Sequence, residues 1–254
     1  IDISDITYTL TGDITIDDVI NDAGIYFASD NAIVNYTGAI SVSTNGVAFN
    51  INDDNNTMNM TGNINIAADT AERHGVLFRE GQNNTFNLTG NIITANTLGF
   101  GVYYLAGSAN TGKVEGNITT TGEAGYGIAF VNSALNNHNQ TGNITTSGDD
   151  AYGIYLLTDG VTDGGSNTIN MTGNITTAGD NSHGIYNRDS SSNTYTVIGD
   201  INTTGDNGRG LFIRGSNSNT VNMTGNITTT GDGSYGMRLQ GSDSNDITIN
   251  GNII

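Results

Sequence analysis

The sequence predicts an all-β chain wound as a parallel β-solenoid of about nine to ten coils, mostly of 26 residues, and three observations carry that expectation. A glycine, usually written T-G-N-I or T-G-D-I, returns at Gly12, Gly38, Gly62, Gly90, Gly116, Gly142, Gly173, Gly199, Gly225 and Gly251, and six of the nine gaps are 26 residues. The residue two places after each of these glycines is always isoleucine, from Ile14 to Ile253. Around them apolar and polar residues alternate, as in Val221, Met223 and Ile227 against Asn222, Thr224 and Asn226. A fixed period between 20 and 50 residues marks stacked units that bury an apolar face only against their neighbours. Period two marks strand.

Each coil then reads in order. The stretch before the first glycine is a strand with one side inward, and the isoleucine after it opens a second inward run. A further glycine followed by an apolar residue recurs at Gly24, Gly46, Gly75, Gly101, Gly127, Gly153, Gly184, Gly210 and Gly236, and introduces an apolar segment such as Ile154 and Leu156. Each coil therefore has two or three short strands, separated by corners rich in Gly, Ser, Asn and Asp such as Gly215-Ser216-Asn217. Identical rows stay in one core only if strands of successive coils pair in parallel. Nine coils at about 4.8 Å make a rod on the order of 45 Å long, and analogy with the commoner parallel β-helices makes it right-handed.

Composition agrees. At average usage a chain this long holds about a dozen prolines, but this one has none, as a fold in which nearly every strand N–H enters a ladder requires. It has no cysteine either, so no disulfide or thiolate site forms, and the polarity comes from Asn, Thr, Ser and Gly, as in extracellular surface proteins. The net charge is −18, from 25 acids against seven Lys and Arg. That charge speaks against a nucleic acid or an anionic membrane as partner. No apolar run is long enough for this segment to insert in a bilayer, and no charged-then-apolar leader is present. Both ends lie inside the repeat, so residues 1–254 read as one solenoid domain, a segment of a longer rod or a fibre subunit that associates with itself end to end or laterally.

The block T-G-N-I-T-T-x-G-D-x-x-x-G-I, at Thr141–Ile154, Thr172–Ile185 and Thr224–Met237, resembles the low-complexity repeats of bacterial autotransporter passenger domains and related secreted β-helical surface proteins. The resemblance covers almost the whole chain and rests on repeat grammar. It implies export to the cell surface and a rod that serves adhesion, aggregation or display, with a host or neighbour-cell glycan or protein as partner.

Several rows are candidates for function. The position after the first apolar residue of the glycine-led strand faces outward: Tyr26, Ala48, Leu77, Tyr103, Ala129, Tyr155, Tyr186, Phe212 and Arg238. Its unbroken aromatic stretch, Tyr155, Tyr186 and Phe212, is a candidate binding face, although exposed ladder neighbours also simply stabilise one another. Glu123, Asp149, Asp180, Asp206 and Asp232 stand seven residues after the first glycine in five successive coils. Stacked like charges there are weak calcium ligands or ordinary turn carboxylates, and no other cofactor is expected.

Other features read as structural. Outward Thr and Asn flank the core isoleucine, as at Thr141, Asn143 and Thr145; such arrays occur on ice-binding solenoids, but Asn65, Ile93 and Asn202 interrupt this one, and reinforcement of the sheet is the plainer reading. Asn117, Asn143, Asn174 and Asn226, with Asn59, Asn170 and Asn222, have the form of glycosylation sequons too crowded to be occupied together. His74 and His183 share a row with Tyr126, Tyr152, Arg209 and Tyr235, four coils apart, and His138 is a polar defect beside Gln140; all three read as solvent-facing or locally satisfied. The 31-residue coil carries an insertion, Thr158–Ser166, with Asp159 and Asp163. A carbohydrate-active β-helix enzyme would need its carboxylates clustered at such an irregularity, and two aspartates without basic neighbours read instead as a surface loop.

Overall fold

The computed structural model describes residues 7–16, 22–27, 29–43, 46–67, 73–160 and 164–254, and in it each coil gives one strand to each of three parallel sheets. The plan is plain in one coil: Thr168–Thr172 lies in the first sheet, Ile175–Thr177 in the second and His183–Arg188 in the third. Among the described residues the first sheet has ten strands and the others nine each, and every pair joins strands one coil apart in a stack of about nine turns.

The isoleucine row is the spine of the core. From Ile40 to Ile227 these residues pair in register in the second sheet and are at most 1% exposed. Burying each of these side chains is worth about 1.5–3 kcal/mol. The first and third sheets close the triangle around them with rows such as Met58, Phe86 and Ile169, or the stacked rings Phe78, Tyr104 and Phe130, whose centroids are 4.6 and 4.4 Å apart.

Two glycine rows turn the corners. Gly173 has φ +140°, a region that side chains strain to reach, and its N–H donates to Ile198 O in the next coil. The second glycine is required by contact: a Cβ on Gly75 would lie 2.6 Å from Ile92 Cγ2, and the same approach recurs up the stack, so this row and the isoleucine row are two halves of one packing contact.

The register corrects one assignment. Ala23 pairs with Val47 and Ile25 with Phe49, while Phe49 pairs with Val76. Ala48 therefore stands at the glycine corner, opposite Gly24 and Gly75, and Asn50, which pairs with Tyr26 and Leu77, takes its place in the outward row. The coil between Gly38 and Gly62 is two residues shorter than most, and fixed spacing from its glycine points to the wrong residue.

Polar side chains also form axial ladders. At the corner leading into the first sheet, Asn56, Asn84, Asn110, Asn136, Asn167, Asn193 and Asn219 are buried, and each backbone N–H donates to the Oδ1 of the asparagine in the next coil at 2.8–3.0 Å. Thr94, Thr120 and Thr146 are buried beside the isoleucines and donate to corner carbonyls, Thr120 Oγ1 to Gly125 O at 2.9 Å.

Candidate functional site

The outward residues of the third sheet build the most differentiated surface. Tyr155, Tyr186 and Phe212 point away from the main core, yet they are only 7, 6 and 5% exposed. The row directly before the second glycine folds over them. In that row His74, Phe100, Tyr126, Tyr152 and His183 stack ring on ring, with centroids 4.8, 4.6, 4.8 and 5.1 Å apart and interplanar angles of 27° or less. The two columns meet edge to face, Tyr152 on Tyr186 at 85° and His183 on Phe212 at 88°. Aromatic pairs of this geometry add about 0.5–1.5 kcal/mol each beyond their buried area. The proposed aromatic face is thus a second, smaller core on the outside of the sheet, with Leu77 and Ala129 buried in the same outward row. Burial raises the Tyr126 and Tyr152 phenols well above their ordinary range, chiefly by desolvation.

The ring column ends on a cation. Arg209 follows His183 in the ladder with Nη1 3.2 Å from His183 Nε2, and its guanidinium lies 4.6 Å from the centre of the Phe212 ring. From the next coil Arg238 lies 5.6 Å from the same ring. Arg188 and Arg214 pair in register on the same outer face. Arg188 Nε contacts Asp189 Oδ2 at 3.4 Å, whereas among the described residues Arg209, Arg214 and Arg238 have no carboxylate partner. Desolvation first, then the repulsion of Arg238, lowers the Arg209 pKa. Composition hides this grouping, which appears only when the outward positions of the last three coils are laid side by side.

The acid column is exposed and hydrogen-bonded along the axis. Asp180 N–H donates to Asp149 Oδ1, Asp206 N–H to Asp180 Oδ1 and Asp232 N–H to Asp206 Oδ1, at 2.8–2.9 Å. One oxygen of each of these three acceptor carboxylates is thus committed to the turn of the next coil. Glu123 stands at the same corner below them, and its carbonyl accepts Leu98 N–H. Among the described residues no three or more His, Asp or Glu side chains converge as a metal-binding group.

The Thr/Asn array has the same structural use. Each strand of the second sheet is three residues long and turns one side chain outward, Thr145 in Ile144–Thr146 and Thr176 in Ile175–Thr177. The neighbouring asparagines sit on the corner, where Asn143 Oδ1 accepts Asn174 N–H at 2.9 Å and Asn117 Oδ1 accepts Asn143 N–H at 2.8 Å. On the first sheet Asn59 links Asn35 and Asn87 by amide hydrogen bonds of 2.9 and 2.8 Å, and Asn170 donates to Asn139 at 3.0 Å. Of the sequon asparagines, Asn59, Asn117, Asn143, Asn170, Asn174 and Asn226 are therefore ladder rungs.

In the insertion, Asp159 exchanges two hydrogen bonds with Asn132: its N–H donates to Asn132 Oδ1 at 2.9 Å, and Oδ2 accepts from Asn132 Nδ2 at 3.0 Å. Asp163 lies outside the described residues. The three histidines are buried rather than solvent-facing. His74 Nδ1 accepts the Phe100 N–H at 3.3 Å, and His138 Nδ1 meets the Tyr104 hydroxyl at 3.0 Å inside the core. Desolvation dominates all three shifts, lowering His74 and His183 to about 3 and His138 to about 4.

Compared with models of known protein families, with curated proteins and with solved structures, the chain matches none.

Proposed function

We propose that this chain is a non-enzymatic structural or adhesive rod of the cell exterior, a stalk or surface fibre component that mediates adhesion and cell–cell or matrix contact, in the manner of the passenger domains it resembles. One observation supports the reading above others: the polar side chains of the corners are spent on axial ladders that repeat coil after coil, so that Asn, Asp and Thr serve stacking. Catalysis depends on a few unlike groups converging at one place. The irregular coil, the one large break in the repeat, holds Asp159 in a reciprocal bond with an asparagine. A stack of short units joined by backbone and side-chain ladders is suited to length and stiffness. Its partners would be further copies of itself or a surface glycan or protein, and no cofactor enters the reading.

Beads coated with the purified protein test it. They should attach to one another or to cells, and soluble polysaccharides incubated with the protein should keep their chain length. Polysaccharide cleavage that disappears in the Asp159→Ala/Asp163→Ala variant would replace the rod with an enzyme.

A further inference from the structure

On the outer face of the third sheet, three successive coils gather four of the seven basic residues of a chain whose net charge is −18. Three successive coils present His183, Tyr186 and Arg188, then Arg209, Phe212 and Arg214, then Tyr235, Arg238 and Gln240, paired row on row. Parallel strands put neighbouring rows about 4.8 Å apart, and residues two apart on one strand about 6.6 Å apart. Four guanidinium groups and their rings therefore share an area a few strands wide.

The local electrostatics are unbalanced. Asp189 partners Arg188, and Asp206 and Asp232 stand on the corner before this sheet with ladder hydrogen bonds along the axis. Arg209 and Arg238 crowd one phenyl ring at 4.6 and 5.6 Å and repel each other. A structural cation in a chain with 25 acids would sit beside a carboxylate, and among the described residues Arg209, Arg214 and Arg238 have none. Arg209 and Arg238 both lie over the Phe212 ring, and Arg209 spends Nη1 on His183. Each guanidinium has five N–H donors, so donors are left for an incoming anion, and a planar carboxylate matches the fork in bidentate fashion.

We propose that this patch is a binding site for an acidic polysaccharide, a uronate-bearing glycan lying across the coils with its carboxylates on Arg188, Arg209, Arg214 and Arg238. A glycan fits better than an acidic peptide for a reason of geometry. Strand addition, by which an extended peptide gains main-chain hydrogen bonds at a free sheet edge, is closed here, because this surface is a sheet face whose backbone groups already bond to the coils above and below; only side chains are on offer, and polyglutamate tests an acidic peptide that would use them alone. Tyr235, 51% exposed, borders the patch and supplies apolar ring surface to a sugar. The site stands or falls apart from the rod reading, since a protein that cleaved glycans could hold its substrate here.

The test is affinity for alginate, measured by calorimetry at 0.1 M salt, where the Debye length is about 10 Å and the field of distant acids is muted. Alginate should bind and neutral dextran should not. Arg188→Gln/Arg214→Gln removes the two exposed guanidinium groups without uncovering Phe212, and should weaken binding about tenfold or more with an unchanged melting temperature. Replacing all four arginines with Gln should abolish binding, whereas Lys113→Gln on the first sheet should change nothing. The proposal is overturned if wild-type protein ignores alginate, if the double variant binds as wild type does, if dextran binds equally, or if polyglutamate or dextran sulfate is the preferred ligand.

Discussion

Ile175 shows how much a single position decides in this fold. It is fully buried in a column that continues through Ile144 and Ile201, while its neighbour Thr176 faces out. Ile175→Asp forces an unpartnered carboxylate into that column and should cost about 4 kcal/mol or more, and Thr176→Ala should stay within about 0.5 kcal/mol. Equal loss of thermal stability in both would refute the inward and outward assignment. His138 is the opposite case, a polar residue in a column that is otherwise apolar. Gly112, the residue paired with it, makes room for the Tyr104 hydroxyl to reach His138 Nδ1. Burial lowers the folded-state pKa to about 4 against an ordinary 6.5, with the Gln140 hydrogen bond opposing. The unfolded chain therefore takes the proton first as the pH drops. The contribution of His138 is intact above pH 6.5 and is lost as pH falls toward 4, on the order of 1–2 kcal/mol between pH 6.5 and 5. Tyr104→Phe/His138→Val removes both polar groups together. Its melting temperature should fall less than that of wild type over this pH range.

Elements in this protein are rows along the axis as much as strands around a coil. The buried asparagine row is the strongest of them, because each rung closes a backbone N–H that water cannot reach. Asn193→Ala would strand the Asn167 N–H and remove the Nδ2 donor to Ser190 O, so it should cost about 2–3 kcal/mol, as buried unsatisfied groups do. Asn143→Ala breaks a rung at an exposed corner, where water replaces the lost bond, and should cost about 1 kcal/mol or less. Hydrogen exchange at the Asn167 amide should speed up in the first variant and stay unchanged in the second. The rows also mark what the sequence made legible. Apolar period two and the 26-residue spacing were enough to identify the strands and core columns, because inward residues must repeat where coils stack. Outward rows were harder to read. Nothing in the spacing tells that Tyr152 and His183 arch over Tyr186, since that follows from the angle at which the corner delivers the strand. Fixed spacing misplaces Ala48 because a short coil moves its glycine corner, and although an asparagine stands six residues before most of the first glycines, its polarity conceals that the row is buried.

At the scale of the whole molecule the dominant quantities are the −18 charge and the stacking of acids in register. Asp149, Asp180, Asp206 and Asp232 succeed one another along one corner at the coil spacing, about 4.8 Å, which at the dielectric of water is a repulsion of roughly 1 kcal/mol between neighbours. Their hydrogen bonds to successive N–H groups offset part of that cost without removing the charge. Two mechanisms could relieve the remainder, and they differ in salt response. Diffuse screening depends on ionic strength alone: raising NaCl from 0.01 to 0.15 M shortens the Debye length from about 30 to about 8 Å and should raise the melting temperature by several degrees. A bound divalent ion would add stability beyond screening, growing with the logarithm of its concentration. With one carboxylate oxygen of Asp149, Asp180 and Asp206 committed to the next turn and no third ligand converging among the described residues, screening is the expected mechanism. Millimolar CaCl2 at matched ionic strength should therefore leave the melting temperature within about a degree of the NaCl value. A calcium-specific rise that Asp180→Asn/Asp206→Asn abolishes would show instead that the column is a chain of cation sites.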